Sequence, residues 1–462
     1  MIELKCSLLV IGGGPGGYVC ASRAARLGVD TILVEGKRVG GTCLNVGCIP
    51  SKALIHAADL YHNAALQAKE GLQGITVSEP KLDFGKTQDW SQGIVDRLCT
   101  GVSGLLERSN VKSVKGWARF RDGKTVEIQS ETGPMLVTAE NIVIATGARP
   151  AELSGFPFGG RILDSTAALA LDTPPKRLAV IGGGYIGLEL GTAFAKLGSQ
   201  VTVIEAGERI LMQYDDKLTR GVKRRLETLG IDLKLSTKLA SWDNDKSILG
   251  LTTADGAETL ETDAVLITVG RTPCTDGLGL EELSLRHDGA FIEIDDHCLT
   301  SMRGVYAIGD VTPGPMLAHR AMAQGEIVAD IVAGTANAWD KACVPAVCFT
   351  DPEIATAGLL PSEVPEGVAT KVSEFPFRAN GRAMTLDDTE GFVRIVARES
   401  DHVILGIQAT GSGVSELVSG FALAIESGLR AEDLAGTIHA HPTLSEALQE
   451  AALSISSMAN HG

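Results

Sequence analysis

The chain has 462 residues, 44% of them hydrophobic and 21% charged, the composition of a globular protein of about three domains. A formal net charge of −16 excludes nucleic acid and an anionic membrane surface as main partners, because both would repel the chain at long range; the charged start Met1-Ile-Glu-Leu-Lys and the short apolar runs predict neither a targeting leader nor a membrane segment. Nine cysteines without a framework of spacings read as thiols of a reducing cytoplasm, where a disulfide is catalytic rather than structural.

The chain opens on a nucleotide-binding pattern. Leu8 to Ile11 predicts an apolar strand, Gly12-Gly13-Gly14-Pro15-Gly16-Gly17 a turn, the run to Leu27 a helix, and Thr31 to Val34 a second strand ending at Glu35. Gly12 permits the tight turn, Gly14 lets the backbone approach a pyrophosphate at the helix N-terminus, and Gly17 lets helix and strand pack closely; Glu35 is placed to accept from a ribose hydroxyl. Next comes Gly40-Gly41-Thr42-Cys43-Leu44-Asn45-Val46-Gly47-Cys48-Ile49-Pro50-Ser51-Lys52. At this spacing the two sulfurs can meet across an irregular turn, and Pro50 favours a helix whose N-terminus stabilises a thiolate. The spacing alone equally fits two core thiols, and a zinc site would need two further ligands; no metal is assigned. Residues 55–110 are expected to be mostly helical, with a polar interruption near Ser78 to Lys86, and Trp117 to Val137 alternates like hairpin strands.

After the linker Pro174-Pro175 the opening pattern returns. Leu178 to Ile181 precede Gly182-Gly183-Gly184-Tyr185-Ile186-Gly187, and Val201 to Ile204 lead to Glu205. Gly12 to Gly182 and Glu35 to Glu205 share one offset of 170 residues, so two dinucleotides are implied. A carboxylate at Glu205 suits the ribose hydroxyls of NAD and repels the 2'-phosphate of NADP; Arg209 is near in sequence but does not replace it. The first unit suits FAD, because the cysteine stretch follows it closely and a disulfide must touch a flavin to exchange electrons with it. Trp242 to Thr262 reads as polar and turn-rich, and Thr312-Pro313-Gly314-Pro315 as a loop. From Pro345 the pattern changes to strands around Phe392 to Ala397 and Val403 to Ala409, then a helix over Glu416 to Ser427. Cys343 and Cys348 repeat the C-x4-C spacing, but an extended segment would hold them roughly 16 Å apart on opposite faces, which makes them packing residues. Near the end stands His439-Ala440-His441-Pro442-Thr443-Leu444-Ser445-Glu446, in which Thr443-x-x-Glu446 is a capping box.

The thirteen residues from Gly40 to Lys52 match, at every fixed position, the Gly-Gly-Thr-Cys-x-Asn-x-Gly-Cys-x-Pro-Ser-Lys motif of the pyridine nucleotide-disulfide oxidoreductases, and the chain resembles that family along nearly its whole length. The resemblance implies an α/β fold of two Rossmann-like dinucleotide-binding domains, for FAD and NAD, plus a C-terminal α+β dimerisation domain. The FAD domain is expected over 1–148 and 272–344, the NAD domain over 149–271, and the dimer interface over 345–462. By resemblance, Cys43 and Cys48 form a redox disulfide, and Lys52 puts a positive charge beside the flavin and pairs with Glu189. Thr146-Gly147 marks the exit from the FAD domain and Val269-Gly270-Arg271-Thr272-Pro273 the return. Asp310, in Val305-Tyr306-Ala307-Ile308-Gly309-Asp310, meets the ribityl chain, and Tyr185 covers the nicotinamide pocket. His441 is the acid-base group, oriented by Glu446 and reaching the disulfide of the other subunit of a homodimer. Such a group is needed because a thiol of pKa near 8.5 is only about 3% thiolate at pH 7.

Within the family the likeness is to the branch that oxidises dihydrolipoamide to lipoamide with NAD, taking it from an acyltransferase (E2) or carrier protein of the 2-oxo acid dehydrogenase complexes. Glu205 speaks against the NADP-dependent glutathione reductases, and no cysteine follows Cys348, unlike the mercuric and large thioredoxin reductases with their C-terminal redox centres. Soluble transhydrogenases lack the cysteine pair. The alternatives are another FAD disulfide reductase, or a redox-sensing flavoprotein scaffold whose acidic surface docks a basic segment.

Overall fold

A computed structural model describes residues 2–456. The first sheet is built from β1 (Ile2–Ile11), β2 (Thr31–Glu35), β3 (Lys112–Phe120), β4 (Thr125–Ser130) and β5 (Gly133–Ile144). β1 runs parallel to both β2 and β5, while β3, β4 and β5 meander antiparallel. Leu8, Leu9 and Val10 are fully buried in succession, as a strand covered on both faces requires. One cover is α1 (Pro15–Arg26). The other helices of this region are α2 (Gly41–Val46), α3 (Cys48–Glu70) and α4 (Phe84–Arg108), and the break between α3 and α4 includes the expected polar interruption.

The cysteine stretch differs from the irregular turn expected of it. Gly41–Val46 is helical, Gly47 alone leaves helical geometry (φ −142°, ψ −111°), and α3 begins at Cys48. Gly41 has φ +58°, and a Cβ there would stand 2.6 Å from the Gly14 Cα. Two glycines thus let the cysteine helix press against the start of α1.

Beyond β6 (Ala148–Pro150) a second parallel sheet repeats the first. Its elements are β7 (Ile162–Leu163), α5 (Ser165–Leu169), β8 (Arg177–Ile181), α6 (Tyr185–Lys196), β9 (Gln200–Ile204), α7 (Asp216–Thr228) and β10 (Asp232–Lys234). In β1–β2 Ile11 pairs with Val34, and in β8–β9 Ile181 pairs with Ile204, the same 170-residue offset seen in the sequence. Residues 242–262, expected to be polar and turn-rich, instead belong to an antiparallel sheet of β11 (Lys238–Asp243), β12 (Ile248–Thr253) and β13 (Gly256–Glu261). Only Leu249 and Leu251 of β12 are fully buried, in a cluster with Phe156, Ile181 and Val265; a one-sided sheet with so few inward residues carries little alternation to detect. β14 (Ala264–Ile267) completes the parallel sheet in the order β10-β9-β8-β14-β7, and β15 (Arg271–Pro273) pairs back onto β6.

After a short hairpin of β16 (His287–Asp288) and β17 (Phe291–Ile292), β18 (Val305–Ala307) joins β5 in the first sheet, and α8 (Ala318–Val332) packs beside α1. The C-terminal layer is an antiparallel sheet of β19 (Ala346–Cys348), β20 (Glu353–Gly358), β21 (Thr370–Pro376), β22 (Phe392–Arg398) and β23 (Ile404–Gly411) in the order β19-β20-β23-β22-β21. Between β21 and β22 lies α9 (Gly381–Thr385), and α10 (Val418–Glu426), α11 (Ala431–Gly436) and α12 (Glu446–Ile455) follow. Cys348 is fully buried on β19 and Cys343 is half-buried before it, in agreement with a packing role. Among the described residues no helix is long and apolar enough to cross a membrane.

Val393, Ile395, Ile407, Ala447 and Ala451 fill the core between the last sheet and its helices. Ile395→Ala should lower stability by about 2–5 kcal/mol, read as a lower thermal unfolding temperature of the C-terminal layer.

Candidate active site

Four helices start at the site without a side chain to cap them: α1 at Gly14, α2 at Gly40, α3 at Gly47 and α6 at Gly184. Each leaves backbone N–H groups pointing outward and carries a partial positive charge. In the first unit a Cβ on Gly12 (φ +107°) would overlap the Ala145 carbonyl, and one on Gly17 the Gly12 carbonyl. In the second, Gly182 meets Thr268, and Gly187 meets Gly182 and Thr268, in the same way. Gly14 and Gly184 differ, for the nearest protein atom to a Cβ on Gly14 is 3.8 Å away and a Cβ on Gly184 meets nothing within 4 Å. Protein packing therefore does not require glycine at these two positions. The open space over each uncapped helix start fits a pyrophosphate approaching the backbone.

Glu35 Oε2 accepts from the Gly13 amide at 2.7 Å and Oε1 from that of Lys37 at 2.8 Å. Glu205 repeats this geometry, with Gly183 and Gly207 as donors, both at 2.6 Å. Arg209, the nearby cation, donates instead to the carbonyls of Tyr214 at 2.9 Å and Met212 at 3.1 Å. Its guanidinium is thus folded into its own loop and leaves the Glu205 carboxylate without a cation from that segment.

At the crossing between the two sheets, Thr146 Oγ1 donates to the Cys274 carbonyl at 2.7 Å and the Cys274 amide to the Gly147 carbonyl at 2.8 Å, while Arg271 reaches the Ala148 carbonyl at 2.5 Å. Gly270 adopts φ +136° in open space beside this crossing. Burial pushes the Asp310 carboxyl upward, opposed by Arg271 and Arg320. Gly309, just before it, is held by the buried Gln324 at 2.7 Å.

The cysteine pair lies where these elements converge. A hydrogen bond from Cys43 brings the Cys48 thiol down to about 7 against the cost of burial, with Lys52 assisting; the same bond, together with burial, drives Cys43 upward. The shared hydrogen bond, Lys52 and the start of α3 thus favour the thiolate on Cys48 over Cys43. Lys52 Nζ meets Glu189 Oε2 at 2.7 Å and stands 4.6 Å from the Phe349 ring centre. Glu189 is only 4% exposed, and its Oε1 accepts from the Phe349 amide at 2.9 Å. Asp310 acts electrostatically on both Cys43 and Tyr185, and Cys48 on Tyr185, whose hydroxyl burial raises to about 12. Cys43, Cys48, Lys52, Asp310 and Tyr185 are thus gathered at one place.

His441 stands apart from this cluster. Its Nδ1 lies 2.8 Å from Glu446 Oε1, while Glu446 Oε2 accepts from the Thr443 amide at 2.9 Å. The glutamate holds the histidine and the Thr443 amide at once, but Thr443 does not cap the helix, because α12 starts at Glu446 behind Ser445 with no side-chain cap. Although burial works against it, the Thr443 amide and His441 hold the Glu446 carboxyl below its usual range. The His441 side chain is 79% exposed, and the groups that act on Cys43 and Cys48 come from elsewhere in the chain. His439 lies close enough to act on Glu446, and the Nε2 of His319 meets the Pro345 carbonyl at 2.7 Å.

The motif marks Asn45 without saying what it holds, and Gln324 carries no sequence signal at all. Asn45 Nδ2 donates to the carbonyls of Val39 and Gly41, and its oxygen accepts from Cys99 at 3.2 Å, fixing α2. Gln324 supports Asp310 from a helix 15 residues away. Both act on backbone atoms that local sequence does not reveal.

Residues 6–325 match the pyridine nucleotide-disulphide oxidoreductases, and residues 344–452 the dimerisation domain of the same family. The chain is 52% identical over 455 residues to the dihydrolipoyl dehydrogenase of Pseudomonas aeruginosa, covering 97% of each. It is 44% identical over 453 residues to that of Geobacillus stearothermophilus, covering 97% of this chain and 96% of the relative. Among solved structures, LpdA of Mycobacterium tuberculosis superposes with a TM-score of 0.90 at 28% identity, over 97% of this chain and 99% of that one. The HOCl-induced flavoprotein disulfide reductase RclA of Escherichia coli superposes at 0.85 with 26% identity, over 96% and 99%.

Two outcomes follow from the geometry. Gly187→Ala should unfold at a lower temperature, because its methyl group overlaps the Gly182 carbonyl, whereas Gly184→Ala should melt near the parent yet bind NAD more weakly in titration calorimetry. In the reduced protein, alkylation by iodoacetamide should rise with pH through a midpoint near 7, below that of an ordinary thiol, since the depressed group is thiolate above its pKa and protonated below it.

Proposed function

The chain belongs to the pyridine nucleotide-disulphide oxidoreductase family, and on that premise we propose that it oxidises dihydrolipoamide at Cys43 and Cys48 and passes the electrons through FAD to NAD. It is an oxidoreductase with the dihydrolipoyl dehydrogenase activity of its relatives, and it uses FAD and NAD. The single observation that carries the residue assignment is the convergence of Cys43 and Cys48 at the start of α3 with Lys52, which the buried Glu189 holds in place.

In the oxidised enzyme a substrate thiol loses its proton to His441 and attacks Cys43. The Cys43–Cys48 bond breaks, a mixed disulfide forms on Cys43, and Cys48 leaves as the thiolate. A leaving thiol of low pKa departs faster, so the sulfur stabilised by its place on α3 and by Lys52 is the suitable one. The second substrate thiol then attacks the substrate sulfur joined to Cys43, which closes lipoamide and releases Cys43 to take up a proton. FAD, when bound, would supply the redox chemistry that links the dithiol to hydride transfer to NAD. Cys48, at the start of α3 beside Lys52, would be the sulfur nearer the flavin. Gly12, Gly14, Gly17, Glu35, Lys52, Thr146, Gly147 and Asp310 hold FAD, and Gly182, Gly184, Gly187, Glu205 and Gly270 hold NAD; the open helix starts and the paired glutamates support this.

We assign the FAD region to 1–148 and 272–344, the NAD region to 149–271 and the interface to 345–462, of which Met1 and residues 457–462 lie outside the described residues. The membership of β18 in the first sheet supports the split FAD region. The working form is a homodimer in which the exposed His441 ring of each chain serves the cysteine pair of the other. The substrate arrives on a lipoyl group of an acyltransferase or carrier protein, in the reducing cytoplasm that nine thiols favour.

Steady-state NAD reduction by dihydrolipoamide tests this reading, with NADP and reduced glutathione as controls. Turnover with the dihydrolipoamide and NAD pair alone is expected; turnover only with NADP or glutathione would overturn the substrate assignment. His441→Gln should lower kcat by about 10²–10⁴-fold with flavin retained, and Cys43→Ser or Cys48→Ser should abolish lipoamide turnover without loss of the flavin absorbance.

A further inference from the structure

The helix that begins at Cys48 and the helix that begins the second nucleotide unit run side by side in a fixed register. Lys52 on α3 pairs with Glu189 on α6, and Asp59 on α3 with Lys196 on α6 at 2.6 Å; both pairs have the same separation of 137 residues. Equal offsets mean that the helices are parallel. The same offset takes Cys48 to Tyr185, the first residues of α3 and α6, and these two interact. Positions 48, 59 and 185, 196 are eleven residues apart, three helical turns, so they stay on one face of each helix.

The second rung is built as firmly as the first. Lys196 is only 8% exposed and is held by two carboxylates, Asp59 and Asp351, each at 2.6 Å. Asp351 is also bound by Arg225 of α7 at 3.1 Å, which balances the charge of the cluster. A short segment of the C-terminal layer spans both rungs, with the Phe349 amide on Glu189 and the Asp351 carboxylate on Lys196.

The polarity of the rungs is reversed, with the cation on α3 in the first and on α6 in the second. Sliding α6 by two turns would oppose Lys52 to Lys196, and sliding it the other way would oppose Asp59 to Glu189. Both slips face like charges in a buried setting, where repulsion is costly. The arrangement thus admits one register.

Deepening the proposed function, on which this inference rests, we propose that Lys196 is a positioning residue for electron transfer, fixing the cysteine helix against the NAD helix from about 16 Å along the axis and so setting where Lys52 stands beside Cys48. Lys196 touches no reacting atom, and its effect reaches the sulfurs only through the relative placement of α3 and α6.

Lys196→Met tests this in the full-length flavin-loaded protein. With the cation gone, kcat for dihydrolipoamide and NAD is expected to fall about tenfold or more while both KM values and flavin content hold. The alkylation midpoint of the reduced cysteine pair should rise above 7 as Lys52 moves away. Lys196→Arg keeps the charge and should restore both values. Asp59→Asn removes only the link to α3, leaving Lys196 on Asp351, and should reproduce the rise if Lys196→Met fails to fold. An unchanged kcat and an unchanged alkylation profile in these variants, whatever their melting temperatures, would overturn the proposal. The unmutated chain assayed alongside separates the two readings: its failure to turn over dihydrolipoamide removes the substrate assignment, whereas the alkylation midpoints decide the register on their own.

Discussion

Helix starts that are left open govern the architecture. In most helices a serine, threonine, aspartate or asparagine closes the first turn, as Asp83, Asp164 and Asp215 do for α4, α5 and α7. At α1, α3 and α6 a glycine stands there instead. The unsatisfied amides are a standing demand for negative charge, which the cysteine pair stands ready to meet at α3 and which, in the proposed function, dinucleotide pyrophosphates meet at α1 and α6. The glycines that crowd each start serve this demand by bringing backbone close to backbone, and the two long sheets behind them hold the helices in place.

A buried cation must be paired, and here the pairing also transmits position. Glu189 is almost inaccessible and is bound by Lys52 and by the Phe349 amide. Such a group contributes less to net stability than its Coulomb energy suggests, because desolvation offsets the attraction. Its stronger effect is geometric. A carboxylate fixed by two donors from different parts of the chain makes the cysteine helix, the NAD helix and the C-terminal layer move as one.

Much of this was legible because the chemistry is local. The glycine turns, the cysteine stretch and the histidine with its glutamate each lie within thirteen residues or fewer, and the repeat of one turn at a constant offset revealed the doubled fold. What escaped the sequence depends on distant partners. Asp59 and Lys196 are 137 residues apart, and each taken singly is an ordinary surface charge on a helix. Gln324 acts on a backbone group, which leaves no mark on residue identity, and the motif names Asn45 without revealing the carbonyls it holds. The sheet of β11 to β13 was missed because two leucines supply its fully buried contacts, and the helical form of Gly41–Val46 was missed because glycine at both ends argues for a turn until the pressure of α1 is known.

The loop after Glu205 has an evolutionary consequence. Adopting a phosphorylated nicotinamide cofactor would take more than exchanging the glutamate for a neutral residue, because Arg209, the nearest guanidinium in sequence, is already committed to the carbonyls of Met212 and Tyr214. Freeing it would leave those carbonyls without their donor and unfasten the turn that carries Tyr214 into the core. In the proposed assignment, cofactor choice is therefore tied to the folding of a loop as well as to one acidic side chain, and recruiting Arg209 to a phosphate would cost that loop its fastening.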